Sequence, residues 1–417
     1  MKKIMNDIRA SHRHTIEIIF AILAALLFIL LAKFAFGQQS ISEKDVSRIA
    51  GGYTSDKINH ALVIGIINGS NVQYFTYGEI EKGTGSKPSA QSVFQLGTVS
   101  CVYTTSLLSL FDEQGKVNLT DPIQNYFPQA VHIPVYQKII CSPPPEPIHY
   151  PTILNCYPDP MYHPKQIVLC DLSTHTSGLP ETPFNLHENR KDAYANYSLD
   201  DLYRFLNSFR PNFQTGLHYE FSPLGIAMLA NGFSWKFNTD FESLLKTNLL
   251  SPLQLPNTFI TGNEEQRMQQ IPGHDKKGKK MDDIKYGVMA PALSIHSSAE
   301  DLVKFVSANL YLKDSVMRSA LRTTQQPKVA ILYSKKLRDS YGGMGWMISP
   351  LKANSPSKIV WQSSAMNGYA CYIGFVNESK TGVVVLSNSV QPVDEIGKKI
   401  LLLLNAEIKS AGNPPGE

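Results

Sequence analysis

Strand-forming runs stand at both ends of this chain and helical patterns fill the middle, so any sheet must be assembled from segments far apart in sequence. Ala61 to Ile67 and Val72 to Tyr77 are apolar, β-branched and aromatic runs separated by Asn68-Gly69-Ser70, the signature of a hairpin with a tight turn. Toward the other end, Met344 to Ser349, Ile359 to Gln362, Tyr369 to Val376 and Gly382 to Leu386 read as successive strands, and Val393 to Ile408 as an apolar-faced helix. A helical pattern starts at Thr98 and stops at Gly115, a residue suited to ending helices; others cover Leu199 to Phe209, Leu224 to Trp235 and Phe241 to Leu250. The expected architecture is α/β plus α, an antiparallel sheet flanked by helices. Its sheet domain is drawn from residues 38–96 and 290–417, and a mostly helical domain at 97–289 carries a Pro-rich, irregular insertion at 131–166.

The N-terminus addresses the compartment. Lys2, Lys3, Arg9 and Arg13 precede a run from Ile18 to Ala32 that has no polar side chain, and Ala35-Phe36-Gly37 offers a small-x-small cleavage pattern. Residues 1–37 therefore read as an export signal. Two fates stay open: cleavage, or retention as a membrane anchor through residues 18–36 if Lys33 snorkels to the interface. Either way the remainder is expected outside the cytoplasm, periplasmic or extracytoplasmic, possible attachment being to the inner membrane.

The chain carries 39 Lys and Arg against 35 Asp and Glu; removing the five basic and two acidic residues of positions 1–37 leaves 34 − 33 = +1. No long basic run exceeds Lys276, Lys277, Lys279 and Lys280, so nucleic acid is excluded as a partner and that cluster reads as a solvated loop. The five cysteines show no paired CxxC spacing, and nothing calls for a metal or a cofactor. Cys141 and Cys156 bracket a proline-rich loop that a disulfide could close in an oxidising compartment, leaving Cys101, Cys170 and Cys371.

Several strings, in order, resemble the class C β-lactamase, penicillin-binding protein and serine esterase family. FQLGTVSCVYTTSLLSLFDEQGKVNLTDPIQNYFP is similar to its nucleophile helix, VLCDLSTHTSGLP to its supporting signature, and GLHYEFSPLGIAMLANG to the segment that carries Tyr-Ser-Asn. LLSPLQLPNTF, APALSIHSSAEDLVKF, YGGMGWMI and TGVVVLSN continue the match, which spans about residues 50 to 405. The resemblance implies a β-lactamase/transpeptidase-like fold and acyl transfer to a serine hydroxyl. That chemistry needs a base to take the hydroxyl proton and backbone N–H groups to hold the oxyanion.

Carried over residue by residue, the family's catalytic elements are degenerate. Thr98 stands at the nucleophile and Cys101 at the lysine one turn later, where a thiol supplies neither the ammonium charge nor the amine base. Phe221-Ser222-Pro223 replaces Tyr-x-Asn, removing a phenol and an amide. Gln362-Ser363-Ser364 replaces the Lys-Thr-Gly or His-x-Gly strand, and Ser364 adds a side chain where glycine lets substrate approach. The backbone N–H groups of Thr98 and Ala365 are the expected oxyanion donors, and Ser222, Ser363 and Ser364 the expected cleft lining. Other Ser-x-x-Lys matches, at Ser243, Ser349 and Ser355, read as accidental.

Three further residues have competing readings. His175 is expected to be structural, and Ser100 to point about 200° away from Thr98 into packing. Cys101 reads either as a buried filler for a lost lysine stem or as a reactive thiol at a helix N-terminus. The resemblance thus implies an exported pseudoenzyme whose former cleft holds a peptide, a cell-wall fragment or a protein partner. The alternative is a working β-lactamase, D-Ala-D-Ala carboxypeptidase or esterase that uses Thr98 or Cys101 in a non-standard site.

Overall fold

The computed structural model describes residues 41–410 apart from 56–57, 143–154, 188–191, 314, 333–336 and 338. The apolar run at 18–36 and its cleavage pattern lie outside the described residues. Among the described residues no helix is long and apolar enough to cross a membrane.

Twelve strands are present among the described residues: β1 Ala61–Asn68, β2 Asn71–Gly78, β3 Val93–Gln95, β4 Ile139–Ser142, β5 Asn155–Pro158, β6 His296–Ser298, β7 Val329–Ala330, β8 Tyr341–Gly342, β9 Met347–Pro350, β10 Lys358–Met366, β11 Tyr369–Val376 and β12 Thr381–Ser387. Eight of them form one sheet in the order β2-β1-β12-β11-β10-β9-β8-β7. β1 lies antiparallel to β12, with Val63 opposite Leu386 and Ile64 opposite Val385, so the two ends of the chain meet at the sheet's interior. β11 and β12 are buried along their whole length, which is why they read as unbroken apolar runs. β2 alternates between half-buried and exposed residues, as an edge strand with one solvated face does.

Helices cover both faces. Glu43–Ala50 and Asp394–Ser410 lie on one, sharing a core with Ile64, Tyr372, Val385 and Ile400. Ala299–Tyr311 and Ser100–Glu113 lie on the other, where Val63, Tyr103, Phe305, Trp346 and Phe375 pack together. Gly65 makes the second contact close, because a Cβ there would sit 2.5 Å from Val303 Cγ2.

Helix Ser100–Glu113 is buried from Ser100 to Phe111. An unpaired buried hydroxyl costs roughly 1–3 kcal/mol, and the threonines and two of the serines of this helix are paired: Thr104 donates to Pro291 O (2.8 Å), Thr105 to Met344 O (2.9 Å), Ser106 to Val102 O (2.6 Å) and Ser109 to Ala320 O (2.8 Å). The helix that presents Thr98 is therefore fixed from several sides.

Where the elements depart from the sequence expectations, tertiary contacts explain it. The helix expected over Phe241 to Leu250 ends at Leu245 and gives way to a π turn at Lys246–Leu250. The strand expected from Met344 starts at Met347, since Thr105 bonds Met344 O and Gly345 N donates to Ser173 O (2.8 Å), drawing that dipeptide out of the ladder. The strand expected at Ile359 to Gln362 runs on to Met366, because Ser363, Ser364 and Ala365 pair with Tyr372, Cys371 and Ala370 of β11.

The Pro-rich insertion, expected to be irregular, contains the hairpin β4–β5, whose residues Ile139, Cys141, Cys156 and Tyr157 are exposed. Cys141 and Cys156 face one another across it, Cα atoms 4.1 Å apart and sulfurs bonded, and Lys138 pairs with Asp159 (2.9 Å) at its base. Residues 143–154 between the strands lie outside the described set. A two-stranded hairpin with little burial is marginal alone, and the cross-link removes about 3 kcal/mol of loop-closure freedom for a loop of this size. Non-reducing peptide mapping of protein made in the periplasm should return the Cys141–Cys156 pair; finding both thiols free refutes the cross-link.

Candidate active site

Thr98 lies in the 3-10 turn Gly97–Val99 at the head of helix Ser100–Glu113, half-buried against β10. Both of its hydrogen-bonding donors are engaged by that strand. Thr98 N–H donates to Ser364 Oγ (3.1 Å), and the Thr98 hydroxyl donates to Ser363 O (2.9 Å). Gly97 allows this fit: its φ of +55° suits glycine, and a Cβ there would lie 2.1 Å from Ser364 Oγ and 2.9 Å from Met366 Cγ. The Ser364 hydroxyl thus stands where an oxyanion would have to meet the Thr98 N–H. This corrects the expectation that this donor survives for catalysis: the side chain replacing glycine on the strand has taken it. Ala365, the position of the other expected donor, is exposed on β10 opposite Ala370.

Cys101 is wholly buried, its Sγ 3.5 Å from Ala292 O. Burial in apolar surroundings pushes its thiol up to about 12, so it is protonated at neutral pH and a poor nucleophile. Of the two readings of Cys101, the geometry is that of a packed filler. Ser100 also faces packing, accepting from Ile295 N–H (3.0 Å).

Gln362 is buried with both ends of its amide occupied: Nε2 donates to Gly345 O (2.8 Å) and Oε1 accepts from Ser363 N–H (2.9 Å). Gly345 belongs to the Met344–Gly345 segment that Thr105 and Ser173 clamp, so Gln362 braces backbone where the family places a cation.

Phe221 is half-buried beside His175, ring centroids 4.7 Å apart. Ser222, expected on the cleft wall, is instead fully buried as the N-cap of helix Pro223–Phe237. It accepts from Gly225 N–H (3.0 Å) and donates to Pro180 O (2.8 Å), a capping role that leaves nothing for a ligand. Pro223 occupies the first helical position, where its missing N–H costs nothing, and is likewise buried. His175 Nδ1 lies against the main chain of Ser222, 3.1 Å from its N and 3.3 Å from its O. Burial pushes His175 down to about 4, so it stays neutral at physiological pH and serves as a brace, as the sequence suggested.

The structure therefore brings Thr98, Ser363, Ser364 and Gly97 into direct contact, and Gln362 joins them through Ser363 N–H. Phe221 and Ser222 join the His175 segment. Trp361 lies on the opposite face of the sheet, its Nε1 donating to Ser349 Oγ (3.0 Å), and Tyr369 is buried with its hydroxyl donating to Ile271 O (2.7 Å). Sequence reasoning missed the Ser364–Thr98 bond. Its signal was present as Gly97 beside Thr98 and serine in place of the strand glycine, but only the register of β10 shows that the two meet.

A beta-lactamase family model matches residues 48–407. A beta-lactamase of Pseudomonas fluorescens is 23% identical over 375 residues, covering 83% of this chain and 93% of that protein. The D-alanyl-D-alanine-carboxypeptidase/endopeptidase AmpH of Escherichia coli (strain K12) is 21% identical, covering 80% of each. Among solved structures, a class C beta-lactamase from Rhodobacter sphaeroides superposes with a TM-score of 0.68 at 19% identity, covering 87% of this chain and 99% of that one. A beta-lactamase/D-alanine carboxypeptidase from Yersinia pestis gives 0.68 at 20% identity, covering 88% and 100%. At this identity the superpositions establish the β-lactamase/transpeptidase fold, while the family model covers most of the chain. The chain belongs to the beta-lactamase family and is class C-like.

Proposed function

We propose that this is an exported, catalytically silent class C β-lactamase-like protein that uses the region of the former cleft to bind a peptide, a cell-wall fragment or a protein partner. One observation carries the reading: Thr98 N–H and Thr98 Oγ1 both donate to β10, to Ser364 Oγ and Ser363 O. A nucleophile must be free to lose its proton to a base, and an oxyanion donor must be free to meet developing charge. Here the hydroxyl points its proton at a carbonyl, no lysine stands one turn on, and the N–H is committed. Export rests on the apolar run Ile18 to Ala32 with its basic flank.

The purified ectodomain is expected to turn over a chromogenic β-lactam or a p-nitrophenyl ester no faster than a control protein, because catalytic groups acting as a unit fail together. Turnover well above buffer that vanishes in Thr98→Ala sinks the proposal. An acyl-enzyme on Cys101 is a separate route to activity, and it needs a thiol that reagents can reach. Native protein treated with iodoacetamide at pH 8 should leave Cys101 unmodified in peptide mapping, and unfolding in guanidinium should expose it; rapid native labelling speaks for the reactive-thiol alternative.

Restoration tests the assignment of positions. Thr98→Ser, Cys101→Lys, Phe221→Tyr, Pro223→Asn and Gln362→Lys rebuild the proton-handling groups, and Ser364→Gly frees the Thr98 N–H. The combination with Ser364→Gly should form a slow covalent adduct with a penicillin, seen as a mass shift, and the same set retaining Ser364 should form at least tenfold less. Tenfold corresponds to about 1.4 kcal/mol, within the worth of one oxyanion donor. A folded restored protein that labels equally with or without Ser364 shows that the Ser364 contact does not block the site.

A further inference from the structure

His60, just before β1, and His274, from a loop more than two hundred positions later, stack face to face with ring centroids 3.6 Å apart and 8° between their planes. They are 6% and 1% exposed. Main chain fixes both rings. Lys82 N–H donates to His60 Nδ1 (3.3 Å), which leaves the proton on Nε2 to be given to Gly278 O (3.1 Å), and His274 Nδ1 donates to Asn388 O (2.9 Å).

The stack holds one short loop at two points. His60 grips Gly278 at the middle of Asp275–Lys280, and His274 anchors its root, its N–H donating to Gly368 O (3.1 Å) in the β10–β11 turn. Asp275, Lys279, Lys280 and the segment to Tyr286 then form, with Met366 and Asn367, the walls of a cavity of about 670 Å³ at the end of β10. Met366 also flanks Gly97, so this cavity adjoins the strand end that covers Thr98.

We propose that the neutral His60–His274 stack is a pH-sensitive latch, and that protonating it releases the loop Asp275–Lys280 and loosens one wall of the cavity at the end of β10. Two buried imidazoles in face-to-face contact tolerate charge poorly. Burial sets both below the ordinary 6.5, with the charge of His274 and then Lys82 adding to the effect at His60, and Lys280 adding to it at His274. The carboxylates facing the pair are Glu81 and Asp275, which favour the charged form. Glu81 is held below the usual carboxylate range by Lys280 (2.9 Å), and Asp275 by the N–H groups of Lys279 and Lys277. They therefore stay anionic at pH 5 and do not supply the transition themselves. Since the folded histidines bind protons less tightly than unfolded ones, the latch is complete above pH 6.5 and weakens as pH falls through their lowered values.

Hydrogen exchange on the full chain at pH 7.5 and pH 5.0, corrected for intrinsic rates, tests this. Protection of the Asp275–Lys280 amides is expected to fall at least about tenfold, because an opening that takes up one proton gains a factor of ten for each unit that pH falls between 6.5 and the lowered values, while β11 and β12 stay protected. His60→Phe and His274→Phe keep a ring for stacking and remove the charge, and each should reduce the change to less than about twofold. Unchanged wild-type protection, or a pH effect that persists in both variants or disappears in Asp275→Asn alone, overturns the proposal. Should the variants not fold, imidazole NMR of the wild type decides: both rings titrating below 6.5 in step with loop opening supports the latch, and either ring titrating at or above 6.5, or a loop that stays protected throughout, overturns it.

Discussion

The antiparallel pairing of β1 with β12 is the constraint on which the other contacts rest. It joins residues near 65 to residues near 384, so the chain between them must leave the sheet at β1 and return to it at β12. A pairing so distant in sequence has a large closure cost before it gains anything, and both strands are accordingly apolar along their length with cover on both faces. Once the pair is in place, β11 and β10 add by short turns, and β10 arrives against the head of helix Ser100–Glu113. The meeting of Thr98 with Ser364 is thus a consequence of sheet register and not of any local preference of either residue.

The scaffold holds Thr98 against β10 through both of its hydrogen-bond donors. In an active acyl-transfer site the strand opposite the nucleophile keeps its distance so that a substrate carbonyl can lie between them. Here that space contains the Ser364 hydroxyl, and Gly97 lets the contact close further because no Cβ intervenes. Gln362 follows the same logic, with a neutral amide turned onto Gly345 O and the next main-chain N–H.

Much of the fold was legible because its strongest signals are periodic or punctuated: the Asn68-Gly69-Ser70 turn, the apolar runs of β11 and β12, and Gly115 just past the end of helix Ser100–Glu113. The short strands β7 and β8 were not legible, since two-residue strands carry no periodicity and exist only through their neighbours. Nor was the full length of β10, where Ser363 and Ser364 are poor strand formers held by cross-strand partners. The candidate positions came from ordered motifs, and the proposal of a silent site from the residue types at them. Ser222 shows the limit of that method: serine in a cleft motif and serine at an N-cap are the same letter, and only burial with a bond to Pro180 O distinguishes them. The His60–His274 stack was invisible for a related reason, because neither histidine has a sequence neighbour that explains it.

The replacements are also individually comfortable, which bears on why they coexist in a well-packed protein. Cys101 sits in surroundings that exclude water, where a thiol is neutral and small. An ammonium at the same position would lose its hydration and need a partner, a penalty of several kcal/mol unless nearby polar groups take it up. Phe221 against the buried ring of His175 needs no hydrogen-bond partner, whereas a phenol there needs one. An active site is a set of polar groups held close together at a cost in stability, and removing the groups releases that cost. Each substitution thus makes the others easier to keep: without a lysine to neutralise, the phenol has no proton to pass, and without either, the strand is free to lay Ser364 on the Thr98 N–H. The rigidity of helix Ser100–Glu113 does not depend on such groups, because it is supplied by bonds to the carbonyls of Pro291, Met344 and Ala320.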